Sequence, residues 1–458
     1  MNRRNIRSWS RLILPLLLLG FIHSYAQQPV QLDLKSAINF ALKANQQARK
    51  AQLDVENSEY RIEEVRSKAL PQVNGNAALT NNPLLQMSAL PNIFGPNPNP
   101  SETVLIPFGQ KWNAVAGVSL TQNLFDKSVL TGMGAAKATR EFYKLSQQLT
   151  EEQVIEQVAT NYYQVLVQRQ QIGVIDSTIQ NTIKLQRIVQ GQFANGLAKK
   201  IDVDRITVNL SNLNSRRQQL LNEISLLENQ LKFFMGMPIQ NIIFIPEADI
   251  NAIQPKTIAL DATINVNDRL EYRLLERQAD LLKYQKESFK AEYYPSLSLS
   301  GNYMYQGMGS RVPIFKGQTQ GVNWYDAASV SLNLRIPIFN GFATRSRIRQ
   351  SEISMKKLQE DIDNTSLALN LAFENAKAQI NNSLVTMDAQ KKNVQLAQQV
   401  YFNTQNNYNN GLASLTDLLN AETSLTDANN NYSSALLNYR VAEIQLLKSQ
   451  GQLKTLIN

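Results

Sequence analysis

The sequence predicts a mixed α+β membrane protein, internally duplicated, in which four strands per chain contribute to a trimeric β-barrel and very long helices pair as coiled coils. Three observations predict it. The chain repeats itself, its helical stretches far exceed the usual globular length, and four short segments alternate with the period of a β-strand.

The repeat organises the rest. Ser67-Lys68-Ala69-Leu70-Pro71, followed by an alternating segment, matches Ala291-Glu292-Tyr293-Tyr294-Pro295 and its own alternating segment at an offset of 224. Phe193-Ala194-Asn195-Gly196-Leu197 matches Tyr408-Asn409-Asn410-Gly411-Leu412, and Ile201-Asp202-Val203 matches Thr416-Asp417-Leu418, both at an offset of 215. The unequal offsets mean that the loops inside the two halves differ in length. Each half reads helix, strand, loop, strand, long helix, turn, helix, so two copies of one unit are expected side by side. The copies span 27–238 and 268–450, with 239–267 between them as an equatorial segment around the helices and 451–458 as a tail.

Residues 1–26 read as a signal peptide. Arg3, Arg4, Arg7 and Arg11 form a basic region, residues 12–21 are apolar, and Ser24-Tyr25-Ala26 offers small residues for cleavage before Gln27. The apolar run is too short to span a bilayer as a helix. Without the four leader arginines the formal charge of +9 falls to +5, and no basic track with interleaved aromatics calls for nucleic acid. Cysteine is absent, which excludes disulfides and thiolate metal sites. The one histidine, His23, lies in the leader, so the mature chain has no imidazole for a catalytic triad or a zinc site. No cofactor is expected, and no paired carboxylates point to an enzyme. No later stretch holds 18 consecutive apolar residues, which excludes a membrane helix but not a barrel strand.

The first helix is expected over 34–69, capped by Asp33 and stopped by Pro71. Periodic apolar residues, among them Leu145, Ile155, Val158, Val165, Ile179 and Leu185, predict one helix over 127–192, about 98 Å long at 1.5 Å per residue. Asn195-Gly196 turns the chain into a helix over 197–235, and Gly236-Met237-Pro238 breaks it. The second half repeats this with helices over 268–293, 343–406 and 415–448, the last two joined at Asn410-Gly411. The helices at 34–69 and 197–235 could stack end to end alongside the long one between them. Their many Gln and Asn residues suit long solvated faces with narrow apolar seams.

Four strands are expected at about 71–80, 112–124, 296–305 and 326–339. On one face stand Val73, Gly75, Ala77 and Leu79, then Trp112, Ala114, Ala116, Val118 and Leu120. The later two add Leu297, Leu299, Gly301, Tyr303 and Tyr305, then Ala328, Val330, Leu332, Leu334, Ile336 and Ile338. The opposite faces are nearly all Ser, Thr and Asn. A soluble sheet on a core would also alternate, but uniform small polar residues suit a water-filled lumen. Aromatics at the strand ends, including Trp112, Phe125, Tyr293, Trp324 and Phe339, suit membrane interfaces. Four strands cannot close, and lipid permits no open edge. Single-chain barrels need about eight strands or more, so several chains must join, and three would supply twelve. The loops at 81–111 and 306–323 then face outside, the first, with six prolines, as an ordered but irregular lid.

The sequence here resembles the outer membrane efflux protein family over nearly the whole mature chain. The resemblance is most specific in the duplicated tips, Gln192-Phe193-Ala194-Asn195-Gly196-Leu197-Ala198-Lys199-Lys200-Ile201-Asp202-Val203 and Tyr408-Asn409-Asn410-Gly411-Leu412-Ala413-Ser414-Leu415-Thr416-Asp417. Ser119-Leu120-Thr121-Gln122-Asn123-Leu124-Phe125-Asp126 and Leu334-Arg335-Ile336-Pro337-Ile338-Phe339-Asn340-Gly341 also look typical of it. The resemblance implies a homotrimer with its barrel in outer membrane lipid, continued by a long α-helical coiled-coil barrel through the periplasm. It implies partners too, a periplasmic adaptor and an inner-membrane transporter, and a far end closed by helix tips. Residues carried over as pore-gate candidates are Asp202 and Asp417 at acidic ring positions and Tyr408 at a latch position. Asn420 stands where some members place a second acid, and Ala413 where some place a basic latch residue. Lys199 and Lys200 are candidate substitute cations. Asp202 and Asp417 also suit the first turn of a helix without any pore role, since an acid there meets the helix N-terminus, and Ser414 with Asp417 has capping-box spacing.

The function this implies is a passive exit duct for small molecules in a tripartite efflux system. Type I protein secretion, metal export and a non-channel coiled-coil protein are the alternatives. Clustered Met, His or Cys would favour metal export, and the nine Met residues do not cluster.

Overall fold

The computed structural model describes residues 30–93, 97–246, 263–313 and 321–457. The expected signal peptide, and residues 247–262 of the equatorial segment, lie outside the described residues. In chain order the elements are β1 (Val30–Gln31), α1 (Leu34–Ala44), α2 (Gln46–Ser67), β2 (Gln72–Asn81), β3 (Gln86–Asn92), β4 (Asn99–Phe108) and β5 (Trp112–Phe125). Then come α3 (Lys127–Ala194), α4 (Lys200–Met235), β6 (Ile243–Phe244), α5 (Leu270–Ala291), β7 (Ser296–Gly309), β8 (Val322–Arg335), α6 (Ala343–Asn409) and α7 (Leu415–Ser449). No described helix is long and apolar enough to cross a membrane.

The four-stranded sheet has the order β2-β5-β7-β8, antiparallel throughout, so its central pair joins the two halves. Register aligns the expected faces row by row. Val73 lies opposite Leu120, Leu120 opposite Gly301, and Gly301 opposite Val330. On the other face Asn74, Ser119, Asn302 and Ser329 form one row. One slipped residue would have mixed the faces. Tyr305 stacks on Trp324 with centroids 4.8 Å apart, near the end of the sheet away from the helices. From Trp324 to Leu334 the strand covers about 34 Å, and a tilt of about 40° reduces this to about 26 Å, the height of a barrel's apolar band.

Each strand is tied to one long helix: α2 leads into β2, β5 into α3, α5 into β7, and β8 into α6. Strand order is therefore helix order, and α2 packs on α3, α3 on α5, and α5 on α6. Below these, α4 continues the column of α2 along α3, and α7 continues that of α5 along α6.

The joints within those columns are built twice. The helix expected over 34–69 is broken at Asn45, with φ −61° and ψ 132°. Asn45 Oδ1 accepts from Gln47 N at 2.8 Å and Ala48 N at 3.2 Å, while its Nδ2 donates to the Phe234 carbonyl at 2.7 Å. One side chain thus caps the start of α2 and the end of α4. Gly236 ends α4 at φ +70°, and a Cβ there would stand 2.5 Å from the Ala44 carbonyl oxygen. In the second half Arg269, 2% exposed, donates to the Lys448 carbonyl at the end of α7 and to both Glu271 oxygens at 2.8 and 3.0 Å. Gly451, also at φ +70°, lies against the Arg269 guanidinium. Asn45 and Arg269 are related by the first offset of the repeat, Gly236 and Gly451 by the second.

Several sequence expectations need correction. The segment 81–111 is not irregular: β3 and β4 form an antiparallel hairpin, with Pro91, Pro100 and Pro107 inside its strands. A two-stranded ribbon gives every strand a free edge, where a missing N–H is tolerated. The last strand runs over Val322–Arg335 rather than 326–339, because Pro337 cannot donate to a ladder and restricts Ile336. The third strand extends past 305 to Gly309, paired to Trp112 and Val322, which shortens the loop expected over 306–323. The helix expected from 268 starts at Leu270, after a 3₁₀ turn at Val266–Asp268. Within the tail expected at 451–458, the 3₁₀ turn Leu453–Leu456 buries Leu453 completely in the main core. That core also takes Ile243 and Ile245 and binds β1 in parallel to β6.

Gly236→Ala is expected to lower trimer stability well beyond the roughly 1–2 kcal/mol of a left-handed non-glycine residue, because backbone must also move. Gly411→Ala, with φ +75° and open space around it, should cost only that smaller amount. Thermal unfolding of the two variants side by side checks the difference.

Candidate functional site

At the end far from the sheet, α3–α4 and α6–α7 each turn back on themselves in the same way. Asn195 Nδ2 donates to the Gly191 carbonyl at 2.8 Å, Gly196 has φ +76°, and Leu197 N reaches back to the Gln192 carbonyl at 2.8 Å. Asn410 Nδ2 donates to the Asn406 carbonyl at 2.9 Å, Gly411 has φ +75°, and Leu412 N reaches the Asn407 carbonyl at 2.8 Å. Glycine is required because the chain passes through the left-handed region at the helix C-terminus. Leu197 and Leu412 stand exposed at the apices.

The acids differ in how firmly they are held. Asp417 closes a full capping box: its Oδ2 accepts from Ser414 N at 3.0 Å and Ser414 Oγ at 2.7 Å, and its own N–H donates to Ser414 Oγ at 3.2 Å. Those bonds from Ser414 hold its carboxyl below the usual range. Among the described residues Asp202 accepts one bond, from Lys199 N at 3.4 Å. Lys200 Nζ pairs with Asp204 at 2.8 Å, and among the described residues neither lysine ammonium bonds to Asp202 or Asp417. Asn420 is exposed on α7.

Tyr408 crosses between the two hairpins, its hydroxyl donating to Gln192 Oε1 at 3.4 Å. Its ring packs on Val189, Ile206 and Leu415. Burial raises its pKa, and the charge of nearby Asp202 raises it further. The tips therefore bring Tyr408, Gln192 and Asp202 together, while Asp417 belongs to its own helix start.

Sequence reasoning missed the contacts that join the hairpins. Arg205 Nη1 donates to Thr416 Oγ1 at 2.8 Å, from α4 to α7. Thr178 and Thr426 hydroxyls meet at 3.2 Å, and Thr182 Oγ1 lies 3.1 and 3.2 Å from the oxygens of Glu422. Further down, Leu185 and Val189 share a cluster with Leu419 and Leu415. Positions 178, 182, 185 and 189 of α3 thus face 426, 422, 419 and 415 of α7, an antiparallel heptad seam with two polar and two apolar rungs. The spacing of four, three and four was available in the sequence. Two of its four rungs are polar, which hides the seam from a pattern of apolar residues alone. Burial lifts the Glu422 carboxyl to about 7.

A sheet with a lipid-compatible face, open edges and a long helical stem defines a membrane-anchored duct, and known proteins share it. The family model for outer membrane efflux proteins matches residues 37–236 and 275–452. The outer membrane protein TolC of Salmonella enteritidis is 20% identical over 451 residues, 96% of this chain and 86% of the relative. Among solved structures, CusC aligns with a TM-score of 0.71 at 17% identity, covering 92% of both chains. The outer membrane protein VceC of Vibrio cholerae aligns at 0.68 and 15% identity, covering 91% of this chain and 96% of its own. The chain belongs to the outer membrane efflux protein family. It is the outer membrane channel of an efflux system, not an enzyme, and its helices occupy the periplasm.

Ser414→Ala is expected to weaken the first turn of α7 by about 1 kcal/mol, seen as faster amide exchange at Asp417. Lys199→Ala, which removes no side-chain bond among the described residues, should leave that exchange unchanged.

Proposed function

We propose that three copies of this chain join β8 of one protomer to β2 of the next and so form a passive, water-filled exit duct for small molecules. The observation that carries this is the pair of open edges: β2 and β8 each have one strand neighbour in the sheet. Twelve strands at about 4.8 Å spacing and a tilt of about 40° give a barrel roughly 24 Å across between backbones. Lined by Ser, Thr and Asn, such a lumen admits hydrated drug-sized molecules and excludes folded domains. An inner-membrane transporter drives transport, with a periplasmic adaptor engaging the tips.

The tips act as the gate. Three copies of Asp202 and Asp417 form acidic rings by symmetry, and a ring in a narrow pore focuses field and concentrates cations. Tyr408, its partner Gln192, and Arg205 with Thr416 are the bonds that opening must break. Lys199, Lys200 and Asn420 tune the charge around the rings. The two turns at Asn195-Gly196 and Asn410-Gly411 give each hairpin a fixed apex, so the hairpins move as units.

The mass of the detergent-solubilised protein should correspond to three subunits, and any other number would sink the closure argument. In planar bilayers, an Asp202→Ala plus Asp417→Ala variant should lose cation selectivity and change its resting conductance. If both stay at wild-type values, these acids are not at the gate.

A further inference from the structure

Of the four rungs described between α3 and α7 near the tips, one carries an acid, and its hydrogen bonds do not balance when it is ionised. Glu422 is 7% exposed and Thr182 is fully buried. The Thr182 hydroxyl lies within bonding distance of both Glu422 oxygens and also 2.9 Å from the Thr178 carbonyl. A threonine hydroxyl has a single proton to give. Given to Thr178, it leaves a buried carboxylate without a donor, which is costly. Given to Glu422, it leaves the Thr178 carbonyl with one bond fewer. A protonated Glu422 removes the conflict, because the acid donates to Thr182 Oγ and Thr182 donates to Thr178.

No neighbouring cation offers another solution among the described residues. On the α6 side a cavity of about 780 Å³ is lined by Glu422, Tyr401 and Arg169, but Arg169 lies more than three helical turns along α3 from Thr182 and is bound to Glu228 at 2.6 Å. On the α4 side a cavity of about 420 Å³ brings Arg216 and Asp427, and Arg216 lies 3.4 Å from Gln219. From α3 only hydroxyls face the acid. A polar residue at a seam position fixes register at a cost in the stability of the coiled coil. The rungs above and below, Thr178–Thr426 and Leu185–Leu419, are uncharged, so this rung alone can change its charge.

We infer that Glu422 and Thr182 form a positioning device for the gate, holding the α6–α7 hairpin on the α3–α4 hairpin as a carboxylic acid and releasing it as a carboxylate. The inference rests on the reading of the tips as a gate. Its direction follows from proton linkage. In the closed seam burial pushes the acid up from 4.5 to about 7. A parted, solvated Glu422 returns toward the ordinary value, so closure is strongest below about 4.5. It weakens through the window by at most about tenfold per pH unit for each seam, and is weakest above about 7.

The test is the open probability of the purified trimer in planar bilayers between about pH 5 and pH 8. The wild type should open more than tenfold more often at the upper end. Glu422→Gln, which keeps shape but cannot ionise, should stay closed across the range, and Glu422→Asp should restore a pH profile with a displaced midpoint. A flat wild-type profile, or a Glu422→Gln channel with the wild-type profile, overturns the inference. The chain has no cysteine, so a Val189→Cys plus Leu415→Cys pair on facing seam positions can be locked by oxidation alone. If the oxidised channel conducts like the reduced one, the tips are not the gate and both readings fail. If oxidation shuts the channel while Glu422→Gln keeps the wild-type profile, only the role of Glu422 fails.

Discussion

Inside a bilayer every backbone N–H and C=O must find a partner within the protein, and this chain leaves one side of β2 and one side of β8 without one. The rest of the architecture follows from that deficit. Four strands need partners, the partners are copies, and each strand continues into its own helix. The sheet order β2-β5-β7-β8 is therefore also the helix order α2-α3-α5-α6, and threefold repetition turns a sheet edge into a tunnel wall. The boundary between the halves runs the whole length of the molecule, as β5 on β7 in the barrel, α3 on α5 below it, and α3 on α7 at the tips.

A wall of this length needs joints, and the two halves build equivalent ones from different chemistry. In the first, Asn45 satisfies two N–H groups and a carbonyl at once. In the second, a buried guanidinium reaches across to the end of α7 and must be balanced by Glu271. Nearby Glu152 is buried too, and burial raises its pKa although Arg269 opposes the shift. The glycine at each joint is the shared element, because one helix end must approach the next without a side chain between them. The half that carries the charged joint also carries the hairpin with Tyr408 and Glu422.

Most of the fold was legible in the sequence because it is written in periods. Period two set the faces of all four strands, and the register aligned them as the alternation required. The two offsets of the repeat relate the tip turns to each other and also the joints, Asn45 to Arg269 and Gly236 to Gly451. What escaped was written in single side chains. Asn45 looks like an ordinary helix residue until its amide is seen to cap two helices. The hairpin within 81–111 was masked by prolines that central strands would forbid and a free-edged ribbon accepts. At the tips, an acid in the first turn suits the helix start whether or not it faces a pore, so the sequence placed Asp202 and Asp417 at the starts of α4 and α7 without dividing the two roles. Glu422 and Thr182 were invisible because a polar residue at a seam position reads as a gap in the pattern.

The pairing of β5 with β7 has a consequence for order in time. These strands lie on opposite sides of α3 and α4, so the sheet's central pair closes a very long stretch of chain, whereas each helical hairpin closes on its immediate neighbour. Local contacts form fast and distant ones slowly. Hairpins therefore come first, the four-stranded sheet waits for the second half of the chain, and the outer edges wait for two other molecules. Insertion into the membrane becomes the last event and a concentration-dependent one, so chains made too sparsely would accumulate as helical stems without a barrel.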